Sequence, residues 1–330
     1  MANIQKYFEK FHDIIRADYE MNSTLREKRD NILALLKRRL KENDRPSCNE
    51  IMQGSYKYGV GIQPIEELEF DIDVGLLFCF DESAHSAAEV RGWVFDAVNG
   101  HTKSVEEKGP CIRVAYAQGF HVDLVCYATW SKDGVEQFRL AHKTEGWRPA
   151  DIPGLLDFIR SARKPFEGTE DSRSNTDQLR RTVRYLKRWN DEAIPYEANH
   201  KITGLGLLLF AIASATPLKF WDGTVDDMSA LQHVATSAAN TPGRIAIRKP
   251  TPEYEDMAGR LSDAEMDELK GRFSSLATAC QKARDEVDPV EACKIMKAVL
   301  GRDFPVLEPK DTARKTSSPA IVTSSSSAER

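Results

Sequence analysis

The placement of acidic residues inside two apolar runs constrains this chain more than any other feature. In the run Phe70 to Phe78, Asp71 and Asp73 alternate with Ile72, Val74 and Leu76. A period of two is that of a β-strand, so both carboxylates share one face while the aliphatic side chains point into a core. The run Phe120 to Tyr127 repeats the pattern, with Val122, Leu124 and Cys126 on one face and Asp123 on the other. An Asp-x-Asp standing alone also suits an edge strand with a solvated face. Three acids on neighbouring strands predict a pair of hard cations about 3.5–4 Å apart, the spacing that clamps attacking and leaving oxygens in phosphoryl or nucleotidyl transfer.

Upstream, Ile51 and Met52 lead into Gln53-Gly54-Ser55 and a polar, glycine-containing segment. A strand ends there, and its exposed backbone N–H groups can hold phosphate oxygens. The order is Gly-Ser, then Asp-x-Asp sixteen positions after Ser55, then a single acid on a later strand. With the Gln-Gly-Ser triplet, the Phe-Asp-Ile-Asp-Val-Gly strand and the Val-Asp-Leu-Val strand, the chain resembles the polymerase-β-like nucleotidyltransferases. It is more closely similar to the bacterial cGAS/DncV-like enzymes (CD-NTases) that make cyclic oligonucleotide signals. The resemblance covers most of residues 1–306. It implies a bilobed α+β fold: a polymerase-β-like core of mixed sheet with helices, and a mostly helical, oligoadenylate-synthase-like second lobe. The expected boundaries are 1–150 for the nucleotidyltransferase lobe with its spanning N-terminal helices, 151–306 for the substrate-binding lobe, and 307–330 for a disordered tail rich in Pro, Lys, Thr and Ser.

Periodicity supplies the scaffold. Ile4, Phe8, Phe11 and Ile15 recur at helical spacing, and a second helix is expected after Ser23, with Thr24 and Glu27 in capping-box relation and a stripe of Leu25, Ile32, Leu36 and Leu40. Residues 85–98 read as a helix, and Gln118-Gly119 as the turn of a hairpin. Arg113, alternating with Ile112 and Val114, reads as a cross-strand partner for an acid or as a solvated side chain. Residues 128–152 are polar and turn-rich, with Asp151 as N-cap of the next helix and the crossing between lobes near it. Residues 168–175 read as a solvated loop and 237–254 as a loop with a short strand. Further helices are expected at Asp177 to Trp189, at Lys201 to Ala213, from Ser262 with Glu265 closing a capping box, and from Asp288-Pro289 to Gly301. Beside the buried stripe of the Asp177 helix run Arg180, Arg184 and Lys187, and such a basic row is ordinarily exposed surface. That helix is similar to the one opening the substrate lobe of oligoadenylate-synthase and cGAS-like enzymes, which implies that Lys187 reaches the donor triphosphate. The resemblance also implies a phosphate contact for Thr203, where the family more often has Ser; core packing or helix capping competes for that residue. Lys249-Pro250 stands where related enzymes commonly have Asp-Pro.

A net charge of −5 argues against a nucleic-acid duplex as the main ligand. It permits nucleotides, whose phosphates are neutralised locally. Six scattered cysteines without a Cys-x-x-Cys pair point to a reduced, zinc-free protein. No apolar run reaches the ~20 residues of a membrane span, and the first residues lack a secretory pattern, so a cytoplasmic protein with no membrane partner is expected. The resemblance implies a cyclic oligonucleotide synthase that uses ATP and other NTPs, releases pyrophosphate, and makes a cyclic di- or trinucleotide for an activated effector in anti-phage (CBASS) signalling. Asp71 and Asp73 would ligate two Mg²⁺ ions, with Mn²⁺ able to substitute. Asp123 would ligate the ion that activates the attacking hydroxyl, and Gln53, Gly54 and Ser55 would grip the β/γ-phosphates with Lys187. Two other readings stay open: a template-independent transferase that extends RNA ends, and a catalytically inactive nucleotide-binding sensor of the same fold.

Overall fold

The computed structural model describes residues 2–17, 23–65, 70–117, 119–193 and 201–306. The tail expected to be disordered, 307–330, lies outside them.

The alternating runs form the middle of a mixed sheet. Its strands are β1 (Cys48–Met52), β2 (Phe70–Cys79), β3 (Ser104–Glu107), β4 (Ile112–Tyr116), β5 (Phe120–Lys132), β6 (Val135–His142) and β7 (Gly146–Ala150). They lie in the order β1-β2-β5-β4-β3, with β6 paired to the distal half of β5 and β7 to β6. Among the described residues β2 and β5 are the one parallel pair, in register from Phe70 beside Phe120 to Cys79 beside Thr129. One face of the sheet carries Ile72, Val74, Leu76, Phe78, Ile112, Val114, Val122, Leu124 and Cys126, all buried. It packs on α2 (Ser23–Glu42) and on a later helix, Ala87–Val98, through Ile32, Leu33, Leu36, Leu40, Val90, Trp93 and Val94. The other face carries the acids.

A short helix, α3 (Gly54–Tyr58), follows β1, and the Ala87–Val98 helix is α4. Beyond the sheet come α5 (Ile152–Ala162), α6 (Gln178–Ala193), α7 (Gly204–Ser214), α8 (Asp227–Ala239), α9 (Asp263–Asp285) and α10 (Pro289–Leu300). The expected caps are present. Asp151 accepts from the Gly154 N–H at 2.7 Å, Ser262 and Glu265 form a capping box, and Asp288 caps α10 ahead of Pro289. These helices share a core with α1 (Gln5–Ile15), whose Phe8, Phe11 and Ile15 pack against Tyr185, Leu186 and Phe304. The side chains of α1 thus enter the helical core, whereas those of α2 enter the sheet core. No described helix is long and apolar enough to cross a membrane.

Three regions depart from the expectations. Residues 128–152 extend the sheet instead of forming an irregular linker. Asp133 and Gly134 both take positive φ (51° and 78°), the conformation of a two-residue hairpin turn, and they join β5 to β6. The segment expected to begin a loop at residue 237 is the end of α8, whose stripe of Met228, Leu231, Val234, Ala235 and Ala238 leans on alanines and so carries a weak hydrophobic signal. The loop 168–175 is not simply solvated: Asp171 turns inward and accepts from the backbone N–H groups of Arg173 and Ser174, and Thr169 is buried.

Arg91 on α4 fixes the loop in front of β4. The residue is 2% exposed, and its guanidinium donates to the carbonyls of Lys108, Gly109, Cys111 and Ala141 at 2.7–3.3 Å. Replacing it by leucine removes all four of these bonds, although the Gly109 and Cys111 carbonyls keep backbone donors, the Lys143 and Lys108 N–H groups at 2.9 Å. Arg91→Leu is expected to lower unfolding free energy by about 2–4 kcal/mol, read as a shifted urea midpoint at unchanged m-value.

Candidate active site

The parallel register sets Asp71 beside His121 and Asp73 beside Asp123, and the antiparallel register of β4 on β5 sets Arg113 beside Asp123. Residues directly opposite one another on paired strands share a face. Asp71, Asp73, His121, Asp123 and Arg113 therefore form one cluster on the face turned from α2 and α4. His121 Nε2 lies 3.2 Å from Asp71 Oδ1 and 3.9 Å from Asp123 Oδ2. Arg113 grips Asp123 with both arms of its fork, Nε to Oδ1 at 2.8 Å and Nη2 to Oδ2 at 2.7 Å.

Asp73 carries the electrostatic strain. Burial, with the nearby charges of Asp71 and Asp123, raises its pKa well above the ordinary carboxylate value. For His121, burial favours the neutral ring, but the facing carboxylate of Asp71 and the charge of Asp123 prevail, and its pKa is raised. In both, the neighbouring carboxylates contribute an excess of negative charge, which a cation would relieve; for Asp73 burial is the larger cause. Asp71, His121 and Asp123 each offer a ligand atom within 4.8 Å of the others. Hard carboxylate oxygens suit Mg²⁺ or Mn²⁺, and the imidazole among them is a softer ligand. His121 stands among the three expected acids, and Asp73 turns its Oδ2 toward Gly54. Phe120-His121-Val122-Asp123 held the signal for His121, since alternation puts it on the face of Asp123.

The acids stand at one wall of a cleft of about 750 Å³. Gln53, Gly54, Ser55, Asp71 and Asp73 line it from the sheet side, and Lys187, Thr203, Lys201, Lys249 and Arg260 from the helical side. Seven of the eight residues singled out in the sequence thus meet around one cavity. Asp123 does not line it. It is 5% exposed, set beside Asp73 and held by Arg113.

Local geometry explains the Gln-Gly-Ser triplet. Gly54 has φ of +67°, and a Cβ added to it would lie 1.8 Å from Asp73 Oδ2. Only glycine lets the start of α3 sit against that carboxylate. The Gln53 N–H donates to the Asp73 carbonyl at 3.2 Å, and its side-chain Oε1 accepts from Tyr127 Oη at 3.1 Å. The triplet is therefore bound to β2 and β5 rather than free in a loop.

Across the cleft, the basic row of α6 is not exposed surface. Lys187 Nζ donates to the Val60 carbonyl at 3.2 Å, Arg184 Nε to that of Gly61 at 3.0 Å, and Arg188 Nη2 to that of Gln63 at 2.7 Å. The backbone just after α3 is thus strapped to α6. Burial lowers the Lys187 pKa to about 8, with Asp191 opposing the shift and Arg184 adding to it. The Thr203 side chain accepts from the Gly206 N–H at 3.0 Å as the N-cap of α7, so the capping role foreseen for it is occupied, although the residue also lines the cleft. Lys249 pairs with Glu253 at 2.6 Å.

The family model "Cyclic GMP-AMP synthase DncV-like, nucleotidyltransferase domain" matches residues 49–127. A cyclic GMP-AMP synthase from Escherichia albertii is 27% identical over 172 residues, 49% of this chain, and the match spans 36% of that relative's own length. The fold is similar to that of the Vibrio cholerae DncV cyclic AMP-GMP synthase, with a TM-score of 0.71 at 14% identity over 93% of this chain and 100% of the other. It is also similar to CdnC of E. coli MS115-1, seen in a complex with HORMA-deltaN, with a TM-score of 0.64 at 16% identity over 91% of this chain and 98% of the other.

The contact between Gly54 and Asp73 is testable without any ligand. Gly54→Ala combines left-handed strain of about 1 kcal/mol with a collision that forces Asp73 off its rotamer. The penalty is expected to be smaller by about 1 kcal/mol or more in an Asp73→Ala background, a coupling that a double-mutant cycle of urea denaturation measures.

Proposed function

We propose that this chain, a member of the bacterial cGAS/DncV-like nucleotidyltransferases, joins nucleoside triphosphates into a cyclic di- or trinucleotide with release of pyrophosphate. The observation that carries the reading is the parallel register of β2 on β5, which gathers Asp71, Asp73 and Asp123 beside a cleft edged by the Gln-Gly-Ser triplet and Lys187. Two divalent ions, Mg²⁺ or Mn²⁺, would supply neutralisation of the phosphate charge and a more acidic attacking hydroxyl. Asp71, Asp73 and Asp123 would hold them, with His121 beside Asp71.

The protein's own groups divide the remaining work. Gln53, Gly54 and Ser55 grip the trailing phosphates of the donor, and Lys187 exchanges its bond to the Val60 carbonyl for a phosphate oxygen. Thr203 caps α7 and presents the first turn of that helix to the same phosphates. Asp123 accepts the proton of the ribose hydroxyl that attacks the α-phosphorus. ATP is a substrate in this reading, and the product acts on a cyclic-nucleotide-activated effector in anti-phage signalling.

Incubation with the four labelled NTPs and Mg²⁺ or Mn²⁺ is expected to release pyrophosphate and leave a phosphatase-resistant product, whose linkages nuclease P1 then sorts. Asp71→Asn/Asp73→Asn is expected to abolish it, and unchanged product from that variant would remove the site. Pyrophosphate release with only linear, primer-attached product would favour the RNA-end transferase.

Lys187 gives a pH test. Its ammonium is the phosphate-binding form and is fully present below a pKa of about 8. Phosphate binding raises that pKa, so NTP affinity should be flat below pH 8 and fall above it. Measured KM for NTP is expected to rise several-fold from pH 8 to 9.5, less so in Lys187→Arg, while Lys187→Ala has a high KM at every pH.

A further inference from the structure

Arg113 stands in the acidic cluster but takes no part in holding cations or phosphates in the reading above. It stands on β4 between two acids in register, Asp123 on β5 and Glu106 on β3. A bidentate Arg–carboxylate pair is strong and planar, and it uses a lone pair on each oxygen. Here it is also shielded: the side chain of Asp123 is 7% exposed and that of Arg113 24%, while Asp71 is 42% exposed. The acids are thus unequal. A cation arriving from the cleft meets Asp71 directly, whereas Asp123 is covered on both oxygens by a fixed positive charge.

We propose that Arg113 holds the place of one cation in the nucleotide-free protein, so that the two divalent ions bind in order: first on the Asp71 side, and only weakly at Asp123 until Arg113 yields an oxygen. The inference rests on the two-cation reading above. Repulsion between a guanidinium and a divalent ion sharing one carboxylate opposes the second ion. The donor triphosphate brings negative charge that offsets this, which ties full occupancy of the site to the presence of substrate. Glu106 lies on the same face across β4 from Asp123 and provides a second acid toward which the guanidinium can swing. Its carboxylate is 53% exposed, pairs with Lys108 at 2.6 Å and accepts from Ser104 Oγ at 3.2 Å, and its remaining lone pairs can take a further donor. Arg113 is in these terms a positioning residue: it sets when Asp123 is available.

The test is a Mn²⁺ titration of the nucleotide-free protein, followed by the electron paramagnetic resonance signal of free Mn²⁺. The parent is expected to show one tight site and a much weaker second one. In Arg113→Gln the second site should tighten on the order of tenfold. In Arg113→Lys, whose ammonium covers one oxygen, it should tighten by a few-fold, which keeps the test available if the glutamine variant fails to fold. A second site unchanged or weakened in the folded variants would overturn the proposal. If Mn²⁺ binding by the parent is the same in Asp71→Asn/Asp73→Asn, the two-cation reading itself fails. If binding is lost in that variant but indifferent to Arg113, only the ordering fails.

Discussion

Crowded negative charge on one face of two parallel strands is the constraint around which this molecule is built. Carboxylates about 4 Å apart at an effective dielectric constant of 20 repel by roughly 4 kcal/mol per pair, and β2 and β5 cannot slide to relieve it. Their register is locked from the opposite face, where Ile72, Val74, Val122 and Leu124 are buried under α2 and α4. A slip of one residue would drive the acids into that core. The cost of the cluster is therefore met by hydrophobic burial on the reverse side and softened by Arg113 and His121 on its own side.

The second support comes from the helical part of the chain. Arg184 and Arg188 are buried, and buried charges are costly unless hydrogen-bonded. Here they bond to backbone carbonyls of residues 61 and 63, and Arg184 also reaches His12 Nε2 at 2.8 Å. Burial, with the Arg184 charge, lowers the pKa of His12 to about 3, so the ring stays neutral and accepts that bond. One helix thus joins α1, the strap after α3 and the cleft. Specificity of arrangement, rather than net stabilisation, is what such buried polar ties provide.

Most of the sheet was legible because period two is a strong signal where one face is apolar. The acids of Phe70 to Phe78 and Phe120 to Tyr127 fell where alternation put them, and Arg113 proved to be the cross-strand partner of an acid. Helices bounded by Asp151, Ser262 and Asp288 were legible from capping chemistry. What escaped had a physical reason in each case. β6 and β7 are half-exposed and mixed in polarity, so only Asp133-Gly134 marked them. The stripe of α8 ends in small residues, Ala235 and Ala238, which carry little hydrophobic signal. The backbone partners of the basic row of α6 left no sign in the sequence, because the carbonyls that satisfy it come from a segment more than a hundred residues away. His121 was visible by parity but overshadowed by the acid two places on.

The contact of Gly54 with Asp73 reaches further than local packing. Because the triplet rests directly on the acid-bearing strand, with Gln53 bonded to it and clamped by Tyr127, no pivot separates the triplet from the acids. Their spacing is a fixed length, like the gap of a calliper. On the proposed reading, a polyphosphate shorter or longer than that gap would not keep both ends in place, so the backbone rather than a base-reading side chain would set the accepted chain length.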